Sequence, residues 1–301
     1  MIGSVDIGGT KIAVAAVGDG GTVLFRNECL TEPQLGFPNA MLRIQRMLRE
    51  AVNACGSMQG LGIACPGPLD PFTGVIGDVG TLPGWMGCNL KEPLEREFGV
   101  SVAVENDADA AALAEYGCGS GRGAASFIYI TISTGIGGGI ILGGHLYRGV
   151  AGSHPEVGHQ ILDSSGPLCY CKAHGCWESL ASGTAISEWM YEQAPHRGKL
   201  TAARICAMSV EGNPLAAQAV RRQAHYLCLG LANLVTLFAP EVIALGGGVM
   251  KSSALFLDEA LGVVREYCTQ VPAESVRIVL ASLGSDVGLQ GAAQAWRMQH
   301  G

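Results

Sequence analysis

The chain has 301 residues, 48% of them hydrophobic, only 15% charged, and 44 of them glycine. Glycine at about twice ordinary usage, without a three-residue period, excludes collagen; the apolar content excludes a disordered Gly/Pro tract. The net charge of −7 gives no basic excess to neutralise phosphates, so nucleic acid is not expected as a partner.

Taken in order, residues 2–7 and 12–17 read as strands broken by Gly8-Gly9-Thr10-Lys11, and 22–29 as a third strand. Residues 40–55 read as a helix with Met41, Ile44, Met47, Ala51 and Val52 on one face. Gly60–Ala64 is a short buried strand ended by Pro66-Gly67-Pro68. Asn89 caps a short helix ending at Phe98-Gly99. Val102–Val104 is a strand, and Asn106-Asp107 opens an Ala-rich helix expected to stop at Gly117. Phe127–Ile132 is a strand, Ser133–Gly139 a glycine turn and Ile140–Leu142 a returning strand. The glycine hairpin thus recurs in the second half, a weak internal duplication. Residues 143–180 lack clear periodicity. Asn213-Pro214 starts a helix to about Phe238. Val242–Leu245 is a strand into Gly246-Gly247-Gly248, followed by a helix near 254–269, a strand near 276–281 and a helix near 287–299. This alternation predicts an α/β protein. No Pro-, Ser- or charge-rich linker separates the halves, so they are expected to pack as lobes around a cleft.

The start of the chain has neither a basic nor an apolar leader, and Ala124–Gly144 carries too many Gly, Ser and Thr for a membrane span. A cytoplasmic protein with no membrane partner is expected. Eight of the 11 cysteines are scattered singly, as small buried hydrophobes are in a reducing compartment.

The chemistry-bearing residues fall into four groups. Asp6, Gly8, Gly9, Thr10 and Lys11 form a tight turn whose amides can nest a phosphate and whose Asp can hold magnesium. Thr134, Gly135, Gly137 and Gly138 form a second such turn, and Gly246–Gly248 a third, where a flat ring can lie on bare backbone. Asp107 at a helix start suits a general base, although Asn-Asp there is commonly only a cap. Finally, Cys169, Cys171 and Cys176 with one histidine make a Cys3His set, the closed structural zinc type. Spacing leaves the histidine open among His154, His159 and His174.

Together these motifs resemble the ROK family of bacterial sugar kinases and sugar-responsive repressors. The order is Asp-Ile-Gly-Gly-Thr-Lys at 6–11, Gly-Ile-Ala-Cys-Pro-Gly-Pro-Leu-Asp at 62–70, Glu-Asn-Asp-Ala-Asp at 105–109 and Ser-Thr-Gly-Ile-Gly-Gly-Gly at 133–139. Glu-Val-Gly-His at 156–159, Cys-x-Cys-x4-Cys-x-Glu at 169–178 and Leu-Gly-Gly-Gly at 245–248 complete it. The resemblance implies an actin-like, hexokinase-type (ribonuclease H-like) two-lobed fold with a central cleft. Residues 1–117, completed by 287–301, would form the small lobe, and 118–286 the large lobe with the zinc loop. It implies an ATP-dependent kinase acting on the 6-hydroxyl of a hexose, with magnesium and zinc. Asp107 would be the base, and Gly67, Asn106, Glu156, His159 and Glu178 would bind the sugar. His159 would also ligate zinc through its other nitrogen, and a homodimer or higher homo-oligomer is expected.

Three departures from the family pattern stand out: Ser133 for a frequent Gly, Asp109 for the commoner Asn, and Lys172 for a usual Gly. Glu156, often missing from sequences like the N-acetylmannosamine kinases, leans the reading towards glucose. N-acetylmannosamine, N-acetylglucosamine, mannose and fructose are the alternative sugars. The repressor reading is disfavoured, because Asp6 stands six residues from the start with no helix-turn-helix before it.

Overall fold

The structure of the protein is a computed structural model in which residues 1–300 are described. The chain divides into two units: Met1–Gly123 with Gly139–Pro155 and Ala281–Gly301, and Ala124–Gly138 with Glu156–Leu280.

The first unit is built on a five-stranded sheet. Strands β1 (Ile2–Ile7), β2 (Lys11–Val17) and β3 (Val23–Leu30) form an antiparallel meander. Strands β4 (Gly60–Cys65) and β5 (Val102–Asn106) run parallel to β1, giving the order β3-β2-β1-β4-β5. Every residue of β4 and β5 is buried, as expected of parallel strands covered on both faces, whereas the edge strand β3 alternates. Helix α1 (Phe37–Cys55) covers one face with Ala40, Met41, Ile44, Met47, Leu48 and Ala51. The short α2 (Lys91–Phe98) follows, its first amides accepted by Asn89 Oδ1 at 2.8 and 3.1 Å.

Helices α3 (Asp107–Cys118) and α9 (Val287–His300) pack together, and α9 also lies across β1, β2, β4 and β5. Glycine permits that approach. A Cβ at Gly291 would sit 1.9 Å from the Ala110 carbonyl oxygen, and one at Gly62 1.8 Å from that of Ala292. The buried Glu115 carboxylate ties the end of α3 to the chain before α9, accepting from Ser120, from Ser282 N–H at 2.7 Å and from Leu283 N–H at 2.8 Å.

The second sheet has the order β10-β9-β6-β7-β8: β6 (Ser126–Ile132), β7 (Ile136–Leu142), β8 (His145–Leu146), β9 (Val242–Gly246) and β10 (Arg277–Leu280). Strands β6, β9 and β10 are parallel. The other helices are α4 (Trp177–Ala181), α5 (Gly183–Gln193), α6 (Ala202–Val210), α7 (Pro214–Phe238) and α8 (Leu257–Tyr267). The 25-residue α7, capped by Asn213, packs on α4, α5, α6 and α8.

Three features differ from the sequence expectations. The turn after β6 is only Ser133–Gly135, because β7 already starts at Ile136. Helix α3 continues through Gly117 to Cys118, since its side chains are held against α9. Helices α5 and α6 were not foreseen. No helix among the described residues is long and apolar enough to cross a membrane.

Candidate functional site

In the first unit, three parallel strands end side by side, and their carboxyl ends carry the candidate residues. This is where open α/β sheets usually bind ligands. Asp6 is the last residue but one of β1, Cys65 closes β4 just before Gly67, and Asn106-Asp107 joins β5 to α3. A Cβ at Gly67 would lie 3.0 Å from Asn106 Nδ2. Asn106 is the α3 cap: its Oδ1 accepts from Ala108 N–H at 2.8 Å and Asp109 N–H at 3.3 Å. Its amide nitrogen is therefore the end turned to Gly67.

Asp107 is exposed, and its Oδ1 accepts from Ala108 N–H at 2.8 Å. Burial first, and then the Asp107 charge, raise the Asp6 pKa to about 6 against the opposing pull of Lys11 and Arg26. The Cys65 thiol is pushed up by burial and by the same two carboxylates. Two carboxylates this close make a natural place for a cation. Behind them lies the buried Glu105, held in a two-pronged ion pair by Arg148, with Nη1 to Oε1 at 2.8 Å. Burial still raises the Glu105 pKa, though Arg148 opposes it.

The turn Gly8–Thr10 is closed by Gly8 N–H to the Lys11 carbonyl at 2.8 Å and by the Thr31 hydroxyl on the Gly8 carbonyl. Lys11 itself pairs with Glu28 at 2.9 Å on the exposed edge, so its ammonium is engaged away from the turn amides.

In the second unit, the turn Ser133–Gly135 is braced by Gly183 N–H to the Ser133 carbonyl at 2.7 Å. Gly247, at φ 91°, passes so close to β6 that a Cβ would stand 2.3 Å from the Ile132 carbonyl oxygen. A cavity of about 490 Å³ opens there, lined by Thr134, Gly183, Thr184, Thr201, Gly248 and Ser252 among others. That size suits a nucleotide-sized ligand. Sequence reasoning placed Thr134 and Gly248 here but missed Thr184, Thr201 and Ser252. The Ser and Thr caps of α5 and α6 (Ala185 N–H donating to Ser182 Oγ, Arg204 N–H donating to Thr201 Oγ1) were the available signal. Gly137 and Gly138 lie within β7, outside the turn.

A larger cavity of about 980 Å³ shares Thr134 and Thr184 with the first and extends to Glu178 and Tyr170. Glu178, on α4, accepts from Ile136 N–H at 2.8 Å. Near it, His159, Cys169, Cys171 and Cys176 bring four donor atoms within 4.8 Å of one another. The Cys171 and Cys176 sulfurs are 3.4 Å apart, and Cys169 Sγ stands 3.6 Å from His159 Nδ1. Four soft donors at these spacings fit a tetrahedral zinc ion. Burial and the neighbouring thiols push Cys176 up to about 12, a cost that a divalent cation reverses. His174 instead meets the Gly166 carbonyl at 3.0 Å, and His154 lies in the first unit, so the geometry selects His159.

Tyr170 was missed altogether. Its hydroxyl stands 2.7 Å from His159 Nε2, the nitrogen turned away from the sulfurs. Its pKa is raised to about 12, by burial first and then by Glu178 and Glu156. Tyr170 thus interacts with three of the five residues that the family resemblance assigns to sugar, His159, Glu178 and Glu156.

The two sheets, the glycine turns at strand ends and the strand-end carboxylates define an α/β fold of the actin-like, hexokinase type. A sequence model of the ROK family matches residues 2–299, and the chain belongs to that family. The glucokinase of Streptomyces coelicolor is 33% identical, covering 97% of this chain and 96% of its own. The crystal structure of a ROK hexokinase from Thermus thermophilus superposes with a TM-score of 0.90 at 34% identity, covering 100% of this chain and 99% of its own. A ROK family glucokinase from Streptomyces griseus, solved with glucose and AMPPNP, gives 0.78 at 32% identity, covering 99% of each chain.

Proposed function

We propose that the chain is an ATP-dependent hexose kinase that phosphorylates the 6-hydroxyl of glucose. The observation that carries this reading is the exposed Asp107 carboxylate at the head of α3, beside Asp6, in a chain similar to glucokinases over nearly its whole length. Asp107 takes the proton from the hydroxyl as its oxygen bonds to the γ-phosphorus and the bond to the bridging oxygen of ADP breaks. Among the candidates for sugar hydroxyls, Asn106 and Gly67 belong to the first unit and Glu156, His159 and Glu178 to the second. The Gly8–Thr10 and Thr134–Gly135 amides serve the phosphates, and the 490 Å³ cavity serves the nucleoside.

Asp6 holds magnesium, whose role is to neutralise phosphate charge. His159, Cys169, Cys171 and Cys176 would hold zinc, which would supply structural order to the loop. The lobes of this reading are 1–117 with 287–301, and 118–286, and the protein works in the cytoplasm as a homodimer or higher homo-oligomer. The test is phosphorylation by ATP and magnesium across glucose, mannose, fructose, N-acetylglucosamine and N-acetylmannosamine, with the product located by phosphorus NMR. Glucose 6-phosphate as the favoured product supports the reading. Preference for another of these sugars moves the substrate, and no phosphorylation of any of them overturns the kinase.

A further inference from the structure

Asp107 stands between two buried carboxylates, Glu105 two residues before it and Asp109 two residues after. Each is met by a cation-forming side chain from one short segment of the same unit. Arg148 grips Glu105, and His154 Nδ1 lies 2.9 Å from Asp109 Oδ2, with side-chain exposures of 14% for His154 and 0% for Asp109. Neither Asp109 oxygen has a hydrogen-bond partner of good geometry, so His154 Nδ1 meets Oδ2 by proximity. His154 meets the Asp109 carboxylate in contact, and Arg148 interacts with it electrostatically from farther off. Asp109 is also the residue that departs from the commoner Asn of this family, and His154 supplies a partner that an amide would not require.

Buried ion pairs stabilise poorly, because desolvation cancels much of the attraction, while removing one partner strands a charge. One such pair, Glu105 with Arg148, and one buried carboxylate–imidazole contact, Asp109 with His154, bracket a single exposed carboxylate and call for a geometric explanation. Asp109 lies in the first turn of α3, and its N–H is one of the two that Asn106 caps. Any displacement of Asp109 passes through that cap to Asn106 and Asp107.

We propose that His154 and Asp109 form a positioning pair for the phosphoryl-transfer reaction: His154, reaching from the Arg148–Pro155 segment, fixes the first turn of α3 and thereby the attitude of Asp107. The proposal rests on the reading of Asp107 as the base.

The test compares His154→Ala, Asp109→Asn and the double variant, assayed well below their melting temperatures, with Asp107→Asn alongside. His154→Ala leaves a stranded carboxylate under the base, and its kcat falls by roughly 10- to 100-fold, the scale of a misplacement of about 1 Å. The KM for ATP, whose cavity lies in the other unit, stays unchanged. Asp109→Asn removes the charge along with the contact and loses only a few-fold. The double variant recovers to the level of Asp109→Asn. His154→Gln, which keeps a polar side chain at the Asp109 contact, keeps most of the turnover and guards against a misfolded alanine variant. A double variant no better than His154→Ala overturns the pair. So does a His154→Ala protein with lowered melting temperature and unchanged kcat. Turnover retained in Asp107→Asn overturns the base reading instead; lost rescue with an inactive Asp107→Asn overturns this one alone.

Discussion

The corner where β5 meets α3 and the loop from Glu156 to Cys176 are organised by opposite means. The corner consists of regular elements: three parallel strand ends, a capped helix start, and the buried carboxylates of Glu105 in β5 and Asp109 in α3, met by Arg148 and His154. The loop has short 3-10 turns, isolated bridges and an exposed Tyr170, and its four soft donors converge with no regular element to hold them. A site that must place one oxygen against a phosphorus profits from the first construction. A site that reads a pattern of hydroxyls can be built from the second, provided a metal stiffens it. In the proposed kinase, chemistry falls to the corner and recognition to the loop.

The sharpest break of this division is Asp107→Asn, for which turnover is expected to fall by roughly 10²- to 10⁴-fold, the range for losing a general base. Steady-state assays at saturating ATP check it. Next is Cys176→Ala, which removes a buried donor. Metal analysis should find the zinc gone, and the KM for sugar should rise by roughly 10- to 100-fold, as when a metal shell is disrupted. If kcat falls as much while KM holds, the loop shares the chemistry and the division is wrong.

Asp6 tests the corner by pH. Its carboxyl titrates near 6 in the folded protein against 3.8 ordinarily, so the folded state holds the proton longer than the unfolded chain. Without magnesium, stability therefore falls as pH rises from about 3.8 to about 6, by up to about 3 kcal/mol, and is level above. Asp6→Asn should flatten that slope in thermal melts, raise the melting temperature at neutral pH and lower turnover. The smallest effect is expected from Tyr170→Phe. It frees His159 Nε2 for a ligand, so the sugar KM should change by no more than about threefold, the scale of one exchangeable hydrogen bond.

Much of both regions was legible in the sequence for local reasons. Gly8-Gly9, the Asn106 cap and the Cys169-x-Cys171 spacing each act within a few residues, and the parallel strands announced themselves as unbroken apolar runs. Two things were not legible. Gly137 and Gly138 looked like turn because glycine signals turn, yet both lie in β7, where a Cβ at Gly138 would stand 2.5 Å from the Tyr129 carbonyl oxygen. The ion pairs behind Asp107 join positions about 40 residues apart, and no periodicity encodes such a pairing. Helices α5 and α6 escaped because their apolar stripes are short and their burial comes from packing on α7.

The division itself is tested most directly by calorimetric titration of glucose into Asp107→Asn. If the corner supplies the base and the loop the grip, the inactive variant binds glucose within a few-fold of the unaltered protein. Loss of glucose binding together with turnover would make Asp107 a recognition residue and contradict the division.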